Sequence, residues 1–434
     1  MTDKRFHLAW FQNFTPDAWR DPFGQGGQPW DGEIFIDIAR ALERACFDFV
    51  LYEDKLMVSE TYRGSAEGAL RGGVVAPKHD PLPLAVATGM ATRHLGVIAT
   101  MSTMGYPPFL LARAASTVDS LTKGRFGWNI VTSAEELAAQ NFGLDHLPPR
   151  ELRYDMAHEY LEVVNGLFDG WAPDAVVLDR ENGIYADHTK VKPINHVGRF
   201  YKVRGPLNTV RSPQGRPVYA QAGSSPKGRD FGAKYGDVIL SPASGIADMK
   251  AFRDDMRVRA EKFGRDPDSI KVIYAINPIL GETEAEAREK DRRVIDSPGY
   301  IDDQLASISG ITDIDFSVYD IDKPLPERLI TNGEQGTLDR FQQWGSGKTL
   351  KELVADGLTS DLDLVGTPDQ VADRLGEAMA AVGGDGFFIC EPFLRSSRRY
   401  VLEITDGLVP ALQKRGLVRT EYTGKTLREN LLAF

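Results

Sequence analysis

Four short stretches of the chain bring together residue types that can hold an anion or a heterocycle. In QAGSSPKGRDF, Gln221 to Phe231, an apolar run ends at Ala222, Gly223 permits a tight turn, and Ser224 and Ser225 supply hydroxyls and backbone amides. Pro226 suits the first turn of a helix. Amides and the positive end of a helix dipole would then face a ligand beyond the turn, which favours a phosphate. The same residues also read as an ordinary serine cap. In GWNIVTS, Gly127 to Ser133, Asn129 and Thr132 put an amide and a hydroxyl near the end of an apolar run. Such groups read a ring by directed hydrogen bonds, or satisfy a loop. In RELRYDMAHEYLE, Arg150 to Glu162, Arg150 and Tyr154 are four apart and share a helix face. A guanidinium beside a phenol makes a phosphate clamp; an exposed arginine beside a core tyrosine is the plainer alternative. In YED, Tyr52 to Asp54, a carboxylate ends a strand-like run.

Other chemistries are not written in the sequence. It has no P-loop lysine motif, no HExxH, no GxSxG and no paired CxxC. The histidines, His7, His79, His94, His146, His158, His188 and His196, show no metal-ligand spacing, so no metal is expected. An organic cofactor that carries the chemistry itself fits this pattern. Arg20, Lys55, Arg63 and Arg71 lie in the early loops and offer cations to a substrate carboxylate, with solvated loop charge as the ordinary alternative. Trp10, Phe11, Phe14, Trp19 and Trp30 suggest an apolar wall near the same end, part of it packing. No side chain is nominated as a catalytic base.

The elements that must position these groups alternate between short apolar runs and helical patterns. Strands are expected at Phe6–Gln12, Phe47–Tyr52, Leu95–Ser102, Gly124–Val131, Pro217–Ala222, Val238–Leu240, Ile270–Leu280 and Gly386–Cys390. Between them, Ile34, Ile38 and Leu42, then Pro81 to about Thr92, Leu110 to Leu121, and Tyr154 to Phe168 carry helical spacing. Strands alternating with helices imply an α/β protein with a parallel sheet. Eight strands buried on both faces favour a TIM-type (β/α)8 barrel. The doubly wound alternative wants a glycine-rich turn after the first strand, where this chain has NFTPDAW. The stretch from Glu53 to about Asp80 is too long for a plain connection and reads as a functional or disordered loop. One domain over residues 1–434 is expected, with insertions at the C-terminal face of the barrel. These fall at about 171–215 and at about 295–364, the latter polar and irregular: a lid over the substrate, or a dimerisation or packing insertion.

The chain has 434 residues, 42% of them hydrophobic, and a net charge of −11. That length suffices for a large core, and the acidic balance lacks the basic stripe of a nucleic-acid binder. Cys46 and Cys390 read as small buried residues without a disulfide, as in a reducing cytoplasm. No segment has the length of a membrane span or a signal sequence.

The wording of these stretches resembles one family along almost the whole chain. FDFVLYED, LTKGRFGWNIVTS, QNFG, RYDMAHEYLEVV, INHVGRFYKVRGPLN, SPQGRPVYAQAGSSPKGRDFGAK, VGTPDQVADRL, DGFFI and VPALQKRGLVRTEY are similar to phrases of the nitrilotriacetate monooxygenase, pristinamycin IIA synthase and dibenzothiophene-sulfone monooxygenase family, within the bacterial luciferase-like superfamily. The resemblance implies a TIM barrel, dimeric or tetrameric, and a monooxygenase. It implies reduced FMN as a diffusible co-substrate from a separate NAD(P)H-dependent flavin reductase, O2 as oxidant, and a small organic substrate. Carried over motif by motif, it implies that Asp54, Thr100, Asn129, Arg150, Tyr154, Gly223, Ser224 and Ser225 contact the FMN. Ser102 is an alternative to Thr100 on the same strand face. Relatives commonly carry His where this chain has Arg150, some carry His near Ala134-Glu135-Glu136, and Ala-Asp often stands where this chain has Glu53-Asp54. The alternative within the superfamily is a flavin or deazaflavin oxidoreductase that does not use O2.

Overall fold

Eight apolar runs become the staves of a closed parallel barrel. The computed structural model describes residues 5–16, 30–241, 243–345, 347–355, 362–391 and 395–434. In chain order the barrel strands are β1 (His7–Gln12), β2 (Phe49–Tyr52), β3 (Gly96–Ser102), β4 (Phe126–Val131), β5 (Val218–Gln221), β6 (Val238–Ser241), β7 (Lys271–Ile276) and β8 (Gly386–Cys390). Each pairs in parallel with its neighbours in sequence, and β8 pairs with β1 to close the ring. Trp10 of β1 therefore lies opposite Val50 on one edge and Ile389 on the other.

Alternate residues of each strand point to opposite faces, and here both faces are dry. Ala9, Phe49, Leu51, Ile98, Val218, Val238, Ile273 and Phe388 fill the barrel interior. Trp10, Val50, Tyr52, Val97, Trp128, Tyr219 and Tyr274 pack outward under the helices. This is why the strands read as continuous apolar runs.

The surrounding helices include α1 (Glu33–Arg44), α2 (Pro81–Ala91), α3 (Pro108–Leu121), α4 (Arg150–Asp169), α5 (Pro226–Tyr235) and α6 (Gly245–Lys262). Helix α1 buries Ile34, Ile38 and Leu42 on one face. Helix α2 starts where Asp80 accepts from the Leu82 amide at 2.9 Å, with Pro81 in the first turn. Helix α6 escaped the sequence reading because its buried stripe, Met249, Phe252, Met256 and Ala260, is diluted by charge.

The two insertions differ in place and in order. Residues 171–215 join α4 to β5, so they leave from a helix and lie at the N-terminal end of the barrel. Gln214 Nε2 there donates to the Phe126 carbonyl at 2.7 Å. This corrects the expectation that both insertions sit at the C-terminal face. Residues 295–364, expected to be irregular, contain α7 (Tyr300–Thr312), α8 (Gln335–Trp344) and α9 (Leu350–Ala355). Leu305, Ile308, Phe316, Leu338, Phe341 and Leu353 give them a core of their own. The stem of this excursion is clasped where Ile279 and Leu280 pair in parallel with Val365 and Gly366, before α10 (Pro368–Val382) leads into β8. Residues 53–80 are ordered, not disordered. They hold a short helix, Glu67–Gly72, and Tyr62 Oη donates to Asp302 of α7 at 2.8 Å. Cys46 is buried, but Cys390, at the end of β8, is only partly so.

A charged knot closes the opposite end. Arg419 Nη2 donates to Asp48 Oδ1 at 2.6 Å, His7 Nδ1 lies 3.1 Å from the same oxygen, and the Leu8 amide donates to Asp48 Oδ2. Burial alone would raise the Asp48 carboxyl; His7 and Arg419 outweigh it and hold it below the ordinary carboxylate value. Leu427 and Leu431 pack into the barrel interior from the same end. Because removing one partner strands a buried charge, Arg419→Met is expected to cost about 3–5 kcal/mol. Urea unfolding at pH 7 checks this; a loss below about 1 kcal/mol contradicts it.

Candidate active site

The strand ends and the second insertion enclose a cavity of about 380 Å³, within the range of small-molecule sites. Asp54, Thr100, Asn129, Arg150, Tyr154, Gly223, Ser224 and Ser225 all line it, as do Ser102 and Thr132. One end is built for an anion. Ser225 caps α5, accepting from the Gly228 amide at 3.2 Å. Arg229, whose Nη1 pairs with Asp255, donates from Nε to the Ser224 carbonyl at 2.9 Å and fixes the turn. The Tyr154 hydroxyl lies over this turn: a Cβ on Gly228 would fall 2.7 Å from it and 3.0 Å from the Gly223 Cα. Glycine at 223 and 228 lets α4, the turn and α5 approach this closely.

The middle of the cavity carries directed polar groups. Asn129 Nδ2 donates to Thr100 Oγ1 at 2.9 Å, leaving the buried Asn129 Oδ1 without a partner. Gln221 Oε1 and Asp54 Oδ2 are also buried acceptors without partners. Ser102 is spoken for: its hydroxyl lies 2.6 Å from Ser133 Oγ and accepts from the Met104 amide. Burial first, with lesser help from the neighbouring Glu53 and Asp80, pushes the Asp54 carboxyl up to about 7, against the pull of Lys78. Glu53 is paired with Lys78 at 2.6 Å, so the extra acid beside Asp54 is neutralised.

The far end is apolar, with Phe11, Phe14, Leu56, Val75 and Ile311. The buried Asn13 Nδ2 and Ser307 Oγ add two unpartnered polar groups. Of the expected aromatic wall, Phe11 and Phe14 reach the cavity, Trp10 is core packing and Trp30 is exposed. Trp19 lies outside the described residues. Among the loop cations, Arg63 pairs with Asp302 at the surface, Arg71 does not line the cavity and Arg20 lies outside the described residues. Lys55 does line it, but it is held by Glu135 and by Glu334 at 3.0 Å. Burial disfavours its ammonium; the two carboxylates outweigh this and raise its pKa above that of ordinary lysine.

Sequence reasoning missed Arg153. It lies three residues after Arg150, so Arg150, Arg153 and Tyr154 form one arc of α4; the signal was present in RELRY. It is 2% exposed and lines the cavity. Nη1 donates to the Pro148 carbonyl and Nη2 to the Asn332 carbonyl, while Nε has no partner. Burial lowers its pKa to about 10, which leaves it charged at neutral pH. Gly333 to Thr337 of the second insertion also line the cavity, and nothing in NGEQGT distinguishes that segment from any polar turn.

Residues 18–386 match the family model for luciferase-like monooxygenase. The chain is 36% identical to a dibenzothiophene-sulfone monooxygenase of Rhodococcus erythropolis (strain XP), over 99% of this chain and 97% of that one. It is 35% identical to nitrilotriacetate monooxygenase component A of Aminobacter aminovorans, over 95% and 92%. Among solved structures it resembles the riboflavin lyase RcaE, with modified FMN and the substrate riboflavin, at a TM-score of 0.90 and 33% identity, covering 99% of this chain and 96% of that one.

A carboxyl whose folded pKa lies near 7 against about 4 unfolded stabilises the fold while protonated. That contribution is present below pH ~4 and is lost as pH rises through 7. Asp54→Asn is therefore expected to flatten the fall in melting temperature between pH 4 and 7. Parallel wild-type and variant profiles would contradict the assignment.

Proposed function

Because the chain belongs to the luciferase-like monooxygenase family, we propose that it is the oxygenase component of a two-component system, using reduced FMN and O2 to oxygenate a small organic substrate. The observation that carries this reading is the convergence in one cavity of a phosphate-type turn, unpartnered buried acceptors and an apolar end. These residues fit a flavin mononucleotide. The Gly223-Ser224-Ser225 turn, Tyr154 and Arg150 would hold its phosphate. Asn129, Thr100 and Asp54 would meet donors and acceptors of the ring or ribityl chain. When bound, reduced FMN supplies the electrons that activate O2. The protein's part is to orient the ring, keep water out and present the substrate from the apolar end. Below pH 7 the protonated Asp54 can donate a hydrogen bond where a carboxylate could not.

The substrate body is apolar, in keeping with Phe11, Phe14, Leu56, Val75 and Ile311, and the second insertion acts as its lid. A separate NAD(P)H-dependent flavin reductase delivers the reduced FMN, a reading supported by the relative named as a component A. The enzyme works in the cytoplasm as a homodimer or homotetramer. The two free cysteines are in keeping with that compartment. No described helix is long and apolar enough to cross a membrane. Exposed Val177, Leu178, Ile184, Tyr185 and Val197, on the two hairpins of the first insertion, are in keeping with self-association.

The test is to mix the protein and chemically reduced FMN, kept anaerobic, with oxygenated buffer in the presence of thioethers, sulfones and polycarboxylates. Reoxidation kinetics distinct from free flavin, with an oxygenated product, are expected. Reoxidation at the rate in buffer, without binding, overturns the reading. Tyr154→Phe and Ser224→Ala should each weaken FMN binding by roughly 1–3 kcal/mol, measured by fluorescence titration; unchanged affinity in both removes the phosphate assignment.

A further inference from the structure

We infer that the first turn of α8 is the second wall of the phosphate site, so that a bound phosphate monoester holds the lid down on the barrel mouth. This rests on the flavin reading above and adds the lid to the anion site. Helices α5 and α8 are each ten residues long, and their N-terminal turns meet. A Cβ on Gly336, the second residue of α8, would overlap Ser224 Oγ and fall 3.6 Å from the Ser225 amide nitrogen. A side chain there fits only if the Ser224 hydroxyl turns away from the position it holds. Ser225 Oγ and the Gly333 and Glu334 carbonyls take up the Gly228, Gln335 and Thr337 amides, and the positive ends of the two helix dipoles border one corner of the cavity.

The independent sign of an anion is Arg153. It is a buried cation with no carboxylate among its hydrogen-bond partners, and its Nε is unsatisfied. Such a charge is costly unless an anion answers it. One of its two carbonyl partners, Asn332, belongs to the segment that leads into α8. Arg153 thus touches the lid and faces the anion site together. Of the acids lining the cavity here, Glu135 acts on Arg153 through space but is paired with Lys55, and Glu334 is likewise held. Glu334 Oε1 pairs with Lys55 and its Oε2 accepts from Thr337 Oγ1 at 3.0 Å. A ligand that touches both walls binds the docked lid better than the open one, and docking strengthens its binding in return.

FMN and riboflavin share ring and ribityl chain and differ in the phosphate, so they separate this coupling from flavin binding as such. On the full chain, saturating FMN should slow proteolysis within residues 295–364, and riboflavin at equal occupancy should not. Gly336→Ala should raise the Kd for FMN at least tenfold, leave that for riboflavin within twofold, and abolish the protection. Arg153→Gln should show the same split and serves if the alanine variant does not fold. Equal protection by both flavins, or equal loss of both affinities, overturns the inference while leaving the flavin reading intact. If the wild type binds neither flavin, the flavin reading falls, and inorganic phosphate replaces FMN in the proteolysis assay. Protection by phosphate then sustains the two-walled site, and its absence removes it.

Discussion

Closure of the barrel by parallel pairing constrains everything else in this molecule. Once β1 is bonded to both β2 and β8, all eight strands point the same way and every strand end opens at one mouth. Asp54 follows β2, Thr100 lies on β3, Asn129 on β4 and Gln221 at the end of β5. Residues far apart in sequence thereby share one cavity without long loops to carry them. The dry interior beneath them, Phe49, Ile98, Val218 and Phe388, gives the mouth a rigid floor.

Polar groups at that mouth are arranged by charge. Three of the acids lining the cavity are answered: Glu53 by Lys78, and Glu135 and Glu334 by Lys55. Asp54 is left to burial, which favours its neutral form. At the other end Arg153 has no carboxylate among its hydrogen-bond partners and is answered only at a distance by Glu135, itself paired with Lys55, and two helix starts add to its field. The cavity is thus graded from an anion-seeking corner, through a band of amides and hydroxyls, to an aromatic wall. That gradient suits a long ligand with one charged end.

Much of this was legible in the residues. The strands announced themselves because burial on both faces removes the polar alternation that marks an open antiparallel sheet. The serine turn was legible because glycine, serine and proline each have one backbone role there. Arg153 was obscured by reading its helix four residues at a time, when the third residue shares the arc. The second insertion was the least legible part. Its helices carry few apolar residues each, Leu338 and Phe341 in α8 for instance, and they acquire a buried face only by packing on one another. The first insertion was misplaced because sequence marks its composition, whereas its end of the barrel follows from the helix that precedes it.

The ring has a consequence for how the chain is made. The first strand finds one partner early, in residues 49–52, and its other partner, residues 386–390, only when most of the chain has left the ribosome. Arg419, which anchors Asp48 beneath that strand, emerges later still. Throughout synthesis, then, one edge of an apolar strand stays open to strangers. The nascent protein meets its greatest hazard of misassociation before the final strand arrives, and a chaperone's hold would matter most in that interval.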